Sequence, residues 1–250
     1  MRTNLALLFL ILGVSGPAWA QDKPPSIVIY PILVQAPIYG ATVDVPSIPG
    51  GGGGGSEGSD ATTDWGFNAG YMGGMELQGN RFFGEADVFW TKPSASRDVT
   101  PRIDVSSDLW TISLKGGYRL GKGIGITAGA RYVSLAIDTK LEFPQSGLTL
   151  SGSSKETRWL PFVGGDWRGL LARKWTMNVS GDVGVGGDHA SSERFKARLD
   201  WQMVPHVSIR VGYQLLHMKL DADATLGGVT RSWTTSQNLH GPEFGIGIVF

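Results

Sequence analysis

Residues His240 to Phe250 alternate strictly, with Phe244, Ile246, Ile248 and Phe250 on one side and Gly241, Glu243, Gly245 and Gly247 on the other. A period of two puts successive side chains on opposite faces of a strand. An apolar face over a face of small and charged residues makes a ribbon with one side for lipid and one for a polar interior.

The same rhythm recurs along the chain. Trp65 to Leu77 sets Trp65, Phe67, Tyr71, Met75 and Leu77 against Asn68, Gly70, Gly74 and Glu76. Phe82, Ala86, Val88 and Trp90 oppose Phe83, Glu85, Asp87 and Thr91. Trp110, Ile112, Leu114 and Tyr118 oppose Thr111, Ser113, Lys115 and Arg119. Ile124, Ile126, Ala128 and Ala130 oppose Gly125, Thr127 and Arg131, and Trp159, Val163 and Trp167 oppose Phe162, Asp166 and Arg168. Pro161, which removes a ladder donor, makes that segment the weakest of the set.

Trp175 to Val183 opposes Thr176 to Gly184, a set that includes Asp182. Phe195 to Trp201 opposes Lys196, Arg198 and Asp200, and Val207 to Leu215 opposes Ser208, Arg210 and Gln214. Leu216, Met218 and Leu220 then continue in the other phase, which predicts a β-bulge at that point. A strand over about Ile27 to Pro37, of ambiguous facing because its apolar run is nearly continuous, brings the expected total to ten.

Connection lengths test the count. Short links at Gly79-Asn80, Leu120 to Lys122, Leu170 to Lys174 and Val204-Pro205 alternate with longer ones at 40–63, 93–105, 141–156, 186–192 and 221–237. Outer-membrane barrels have short periplasmic turns and longer external loops, and an even strand number returns both termini to one side. The expected fold is therefore all-β, a single antiparallel transmembrane β-barrel of ten strands, with eight as the alternative if one hairpin is deleted.

Arg2, an apolar run from Leu5 to Val14 and Ala18-Trp19-Ala20 read as an export signal over residues 1–20, leaving residues 21–250 as the barrel with its external loops. No segment approaches the roughly 20 apolar residues of a spanning helix. The chain has no Cys, 22 basic and 22 acidic residues and 37 glycines. The charge balance points away from a nucleic-acid partner and the absent thiols exclude disulfides.

Gly129-Ala130-Arg131-Tyr132, Pro161-Phe162-Val163-Gly164, Gly181-Asp182-Val183-Gly184, Gly212-Tyr213 and His240-Gly241-Pro242 occur in an order that resembles an uncharacterised family of small proteobacterial outer-membrane β-barrels. The last strand, ending on Phe250, resembles the assembly signal of such barrels. The resemblance implies fold and location in the Gram-negative outer membrane. It implies as partners membrane lipid, lipopolysaccharide and, through the Phe250 strand, the barrel-assembly machinery; what the external loops bind is left open.

The expected lumen carries seven charges of each sign: Glu76, Glu85, Asp87, Asp166, Asp182, Asp200 and Glu243 against Lys115, Arg119, Arg131, Arg168, Lys196, Arg198 and Arg210. Lumens of this width are nearly filled by side chains, so the balance predicts a salt-bridged, closed interior and a structural or surface-interaction role. A small porin-like channel is the alternative.

A second alternative, a lipid A-modifying hydrolase, rests on His189, Ser191 and Glu193, which lie close enough for a base-activated nucleophile. Glu85 and Asp87 as an acid pair read more simply as two lumen charges on one face. Gly50 to Gly55 lacks the Gly-Lys-Ser/Thr ending of a phosphate loop, and His189, His206, His217 and His240 show no ligand spacing. No catalytic residue, metal or cofactor is therefore expected. The tryptophans fall near strand ends, as an aromatic girdle does.

Overall fold

The computed structural model describes residues 25–36, 38–43, 66–67, 70–92, 94–97, 102–143, 148–187, 190–226 and 229–250. Their thirteen strands are β1 (Ser26–Gln35), β2 (Ile38–Val43), β3 (Gly66–Phe67), β4 (Gly70–Gln78), β5 (Phe82–Thr91), β6 (Ser94–Arg97), β7 (Arg102–Gly121), β8 (Ile124–Phe143), β9 (Leu148–Ala172), β10 (Trp175–Val185), β11 (Ser191–Val204), β12 (Val207–Leu226) and β13 (Val229–Val249). They form ten staves, because three staves are interrupted. β1 and β2 both pair with β13, on either side of Ala36-Pro37. β3 pairs with β2 and β4 with β1, while β5 and β6 both pair with β7.

Every neighbouring pair is antiparallel, and the β1–β13 ladder closes the sheet into a barrel. The ten-stave count stands and the eight-strand alternative falls, since Ile27 to Gln35 is a full stave. Its facing is resolved by a register shift at Pro31-Ile32, where both residues are exposed. Proline has no ladder donor, and the extra residue lets Val28, Tyr30, Leu33 and Gln35 all point inward.

The turns at one end are tight. At Gly121-Lys122-Gly123 all three residues have positive φ, with Gly123 at 77°. A Cβ there would lie 2.0 Å from the Arg168 carbonyl oxygen, so both backbone conformation and space demand glycine.

Two expectations need correcting. Among the described residues the long connections are largely not loops: β7, β8 and β12 run 20 residues each, β13 21 and β9 25. A membrane crossing takes only about 9–11 tilted residues, so the upper halves of these staves rise beyond the membrane as extended hairpins. The bulge expected after Leu215 is absent, because β12 pairs with β13 without interruption from Val207↔Ile248 to Leu226↔Val229. Even-numbered β12 residues stay inside from Ser208 to Leu220. What changes is the lining, from Arg210 and Gln214 to Leu216, Met218 and Leu220.

Aromatic residues mark the membrane band. Phe82 and Trp90 on β5, Trp110 and Tyr118 on β7, and Trp159 and Trp167 on β9 are each eight residues apart. At about 3.4 Å per residue and a tilt near 40°, that spacing is roughly 20 Å of height. Rings meet across strands at both levels: Trp90–Trp110 and Tyr132–Trp159 above, Phe82–Tyr118 and Trp175–Trp201 below, with centroids 5.2 to 5.7 Å apart. Between the rings the outer face is apolar and exposed, as at Leu114, Val163, Val183, Val211, Phe244 and Ile246. Trp65 and the Trp233 side chain, the export segment 1–20 and Gly50 to Gly55 lie outside what is described.

Candidate functional site in the barrel lumen

The middle of the lumen, level with the centre of the apolar band, is a chain of ion pairs. β5 is third and β11 eighth in the ring of ten staves, so the two face each other across the barrel. The period of two aims Arg194, Lys196, Arg198 and Asp200 of β11 inward, opposite Glu85 and Asp87 of β5.

Arg194 binds Asp182 at 2.9 Å and Asp87 at 3.0 Å, and Lys196 binds Asp87 at 3.1 Å and Glu85 at 2.9 Å. Arg198 continues to Glu85 at 2.7 Å and Glu243 at 3.0 Å. Arg210 joins Glu76 at 2.6 Å to Asp200 at 2.7 Å, and Lys115 also binds Glu85. Arg131 donates to Asp182 and Ser192, both at 2.7 Å, and to Ser113 at 3.3 Å.

The side chains of this chain are almost wholly buried. Burying a charge is costly unless it is paired and hydrogen-bonded, and here the ions span the bore in both directions. Aromatic faces complete the packing. Arg210 lies 4.0 Å above the Tyr30 ring, while Arg131 and Arg194 both sit against Phe162.

Above this belt, on the side of the long hairpins, the lumen turns largely apolar, with Thr91, Thr235 and Gln237 as buried polar residues at the same level. Leu33, Met72, Phe89, Leu109, Val133, Leu135, Leu160, Leu216, Met218, Leu220 and Leu239 pack together, none more than 3% exposed. Below it, toward the tight turns, Arg119, Asp166 and Arg168 line the mouth with Phe83 and Asn178. The lumen thus has three levels: an apolar layer, a charged belt and a polar mouth.

All eleven lumen residues singled out from the sequence (Glu85, Asp87, Lys115, Arg119, Arg131, Asp166, Asp182, Arg198, Asp200, Arg210 and Glu243) face the interior. Most join the belt; Arg119 and Asp166 belong to the mouth. Sequence reading missed Arg194, at the centre of the belt, because the β11 segment was begun at Phe195. Extending the alternation two residues back from Lys196 reaches it, and it raises the set of lumen charges assigned from the sequence to eight cations against seven anions. The apolar layer was missed because its residues looked like a phase slip.

The hydrolase cluster does not assemble among the described residues. Ser191 and Glu193 lie on the outer face of β11, whereas Ser192 faces in and is bound by Arg131; His189 lies outside the described residues. Glu85 and Asp87 are each held by cations, with Lys196 between the two carboxylates. His217 meets Asn238, and His240 meets the Tyr213 hydroxyl at 2.7 Å, both on the outer surface.

No family model matches the chain, and no curated protein matches its sequence. Solved structures do match. The outer membrane protease OmpT from Escherichia coli aligns over 94% of this chain and 99% of its own at a TM-score of 0.55 and 8% identity. AlkL aligns over 96% and 97% at 0.43 with 13% identity, and Ail of Yersinia pestis over 91% and 99% at 0.37 with 11% identity. At these identities only the fold carries over. With the closed ten-stave sheet, the girdled apolar band and the polar interior, the likeness to OmpT gives this chain the fold of an outer-membrane β-barrel.

Proposed function

We propose that this protein is a closed barrel, a rigid scaffold that holds extended extracellular hairpins as a contact surface. The observation that carries the reading is the belt of ion pairs from Asp182 to Asp200, which crosses the bore beneath the apolar layer. A conducting lumen of this width would need a continuous hydrated file, and the tightly packed, largely apolar layer, its residues no more than 3% exposed, leaves little room for one. Binding residues characteristically sit on segments held out by a rigid frame, and β7–β8, β8–β9 and β12–β13 are such hairpins.

Membership of the small proteobacterial family resembled by the sequence fits this reading, as does maturation to residues 21–250. Lipid would contact the apolar band, lipopolysaccharide the upper girdle, and the assembly machinery the Phe250 strand.

Liposome swelling tests the closed lumen. Proteoliposomes of the refolded protein should swell in arabinose no faster than empty liposomes. Rapid swelling would favour the small porin-like channel.

A further inference from the structure

The mouth at the tight-turn end holds groups that the belt leaves uncommitted. Among the described residues neither Arg119 of β7 nor Arg168 of β9 makes an ion pair, although every cation of the belt makes at least one. The Arg119 guanidinium lies 5.0 Å over the Phe83 ring, and its Nε is buried without a hydrogen-bond partner. Asp166 faces the same space at 5% exposure. Its Oδ2 accepts from Asn178 at 2.6 Å, but its buried Oδ1 has no partner.

A cavity of about 20 Å³ lies between these groups, and its rim residues Gln78, Arg119 and Arg168 are part-exposed, so it opens toward the mouth. The other polar residues around it are engaged: Lys115 with Glu85, Gln78 with Glu76, and Asn178 with Asp166. The site therefore offers two guanidinium donors and one carboxylate acceptor. It also lies where the lumen's surplus positive charge sits.

A bare anion would satisfy the arginines and be repelled by Asp166 Oδ1. A cation would meet the reverse. An oxyanion that keeps one hydroxyl satisfies both sides, accepting from Arg119 and Arg168 and donating its own proton to Asp166. We propose that the periplasmic mouth of the lumen binds a protonated phosphate, free or carried on an ester, between Arg119, Arg168 and Asp166. Sulfate has the same shape but holds no proton near neutral pH, so the acceptor makes the site select phosphate.

The test is calorimetric titration of the full chain, refolded in a nonionic detergent near neutral pH, with inorganic phosphate, glycerol 3-phosphate and sulfate. The expected result is saturable phosphate binding at one site per barrel, with sulfate at least about tenfold weaker, the size of one charged hydrogen bond. Tighter binding of inorganic phosphate than of the ester identifies free phosphate as the ligand, and the reverse identifies the ester.

Arg119→Gln and Arg168→Gln should each weaken binding by about tenfold or more. Asp166→Asn should collapse the preference for phosphate over sulfate, since an amide can also donate to a bare oxyanion. Heat-modifiable gel migration confirms that each variant is folded. Equal affinity for sulfate and phosphate, indifference to either arginine, or no binding at all would overturn the proposal.

Discussion

Glu85 shows how much one residue carries in this lumen. Its carboxylate receives Lys115, Lys196 and Arg198 at once, with an 8% exposed side chain. Glu85→Gln keeps the shape and removes the charge, leaving three buried cations under-compensated. Breaking a buried pair in this way costs about 3 to 5 kcal/mol, to be measured as a loss of urea stability of the refolded barrel; an unchanged midpoint would show the belt to be energetically idle. Gly123 is a sharper geometric case. Gly123→Ala should destabilise by roughly 1 to 3 kcal/mol through backbone strain alone, with the clash against the Arg168 carbonyl adding to it. Gly116→Ala, whose Cβ would meet nothing within 4 Å, should be neutral in the same assay. At this scale the sequence was readable wherever charges alternated with apolar residues, which is why the lumen charges from Glu76 to Glu243 could be placed in advance. Cross-bore partners were not readable. Which cation of β11 meets which anion of β5 depends on barrel closure and stagger, and those are set by the whole ring of staves.

At the scale of the strand, the girdles state where the membrane ends. Val163 lies between Trp159 and Trp167 on the outer face of β9, and Thr157 lies on the same face beyond Trp159. Val163→Arg should cost about 2 to 4 kcal/mol if it sits at the bilayer midplane, and Thr157→Arg close to nothing. Unfolding titrations in lipid vesicles measure both, and equal costs would show that the band is misplaced. The band was legible because lipid on one side and a polar bore on the other enforce period two. Past the upper girdle the outer face meets water and the lumen lining turns apolar. The contrast then fades or inverts, which is why residues 102–105 of β7 read as loop and Leu216-Met218-Leu220 as a slipped phase. Tight turns were legible from their glycines and shortness, and the break at Pro31 from its missing donor only once both neighbouring ladders were known.

At the scale of the molecule, two different obstacles share one bore. The charged belt fills the centre of the membrane with paired ions, and the layer above it is packed mainly with apolar side chains, Thr91, Thr235 and Gln237 being the buried polar groups among its described residues. Unfavourable desolvation in one layer and electrostatic locking in the other act in series, so loosening the belt alone leaves the upper layer in place. The most direct test is single-channel recording from the unmodified protein in planar bilayers at moderate salt. The expected record is a flat baseline, with no stable conductance steps after insertion is confirmed by heat-modifiable migration of the same sample. Long-lived, ohmic steps from that sample would contradict the closed lumen.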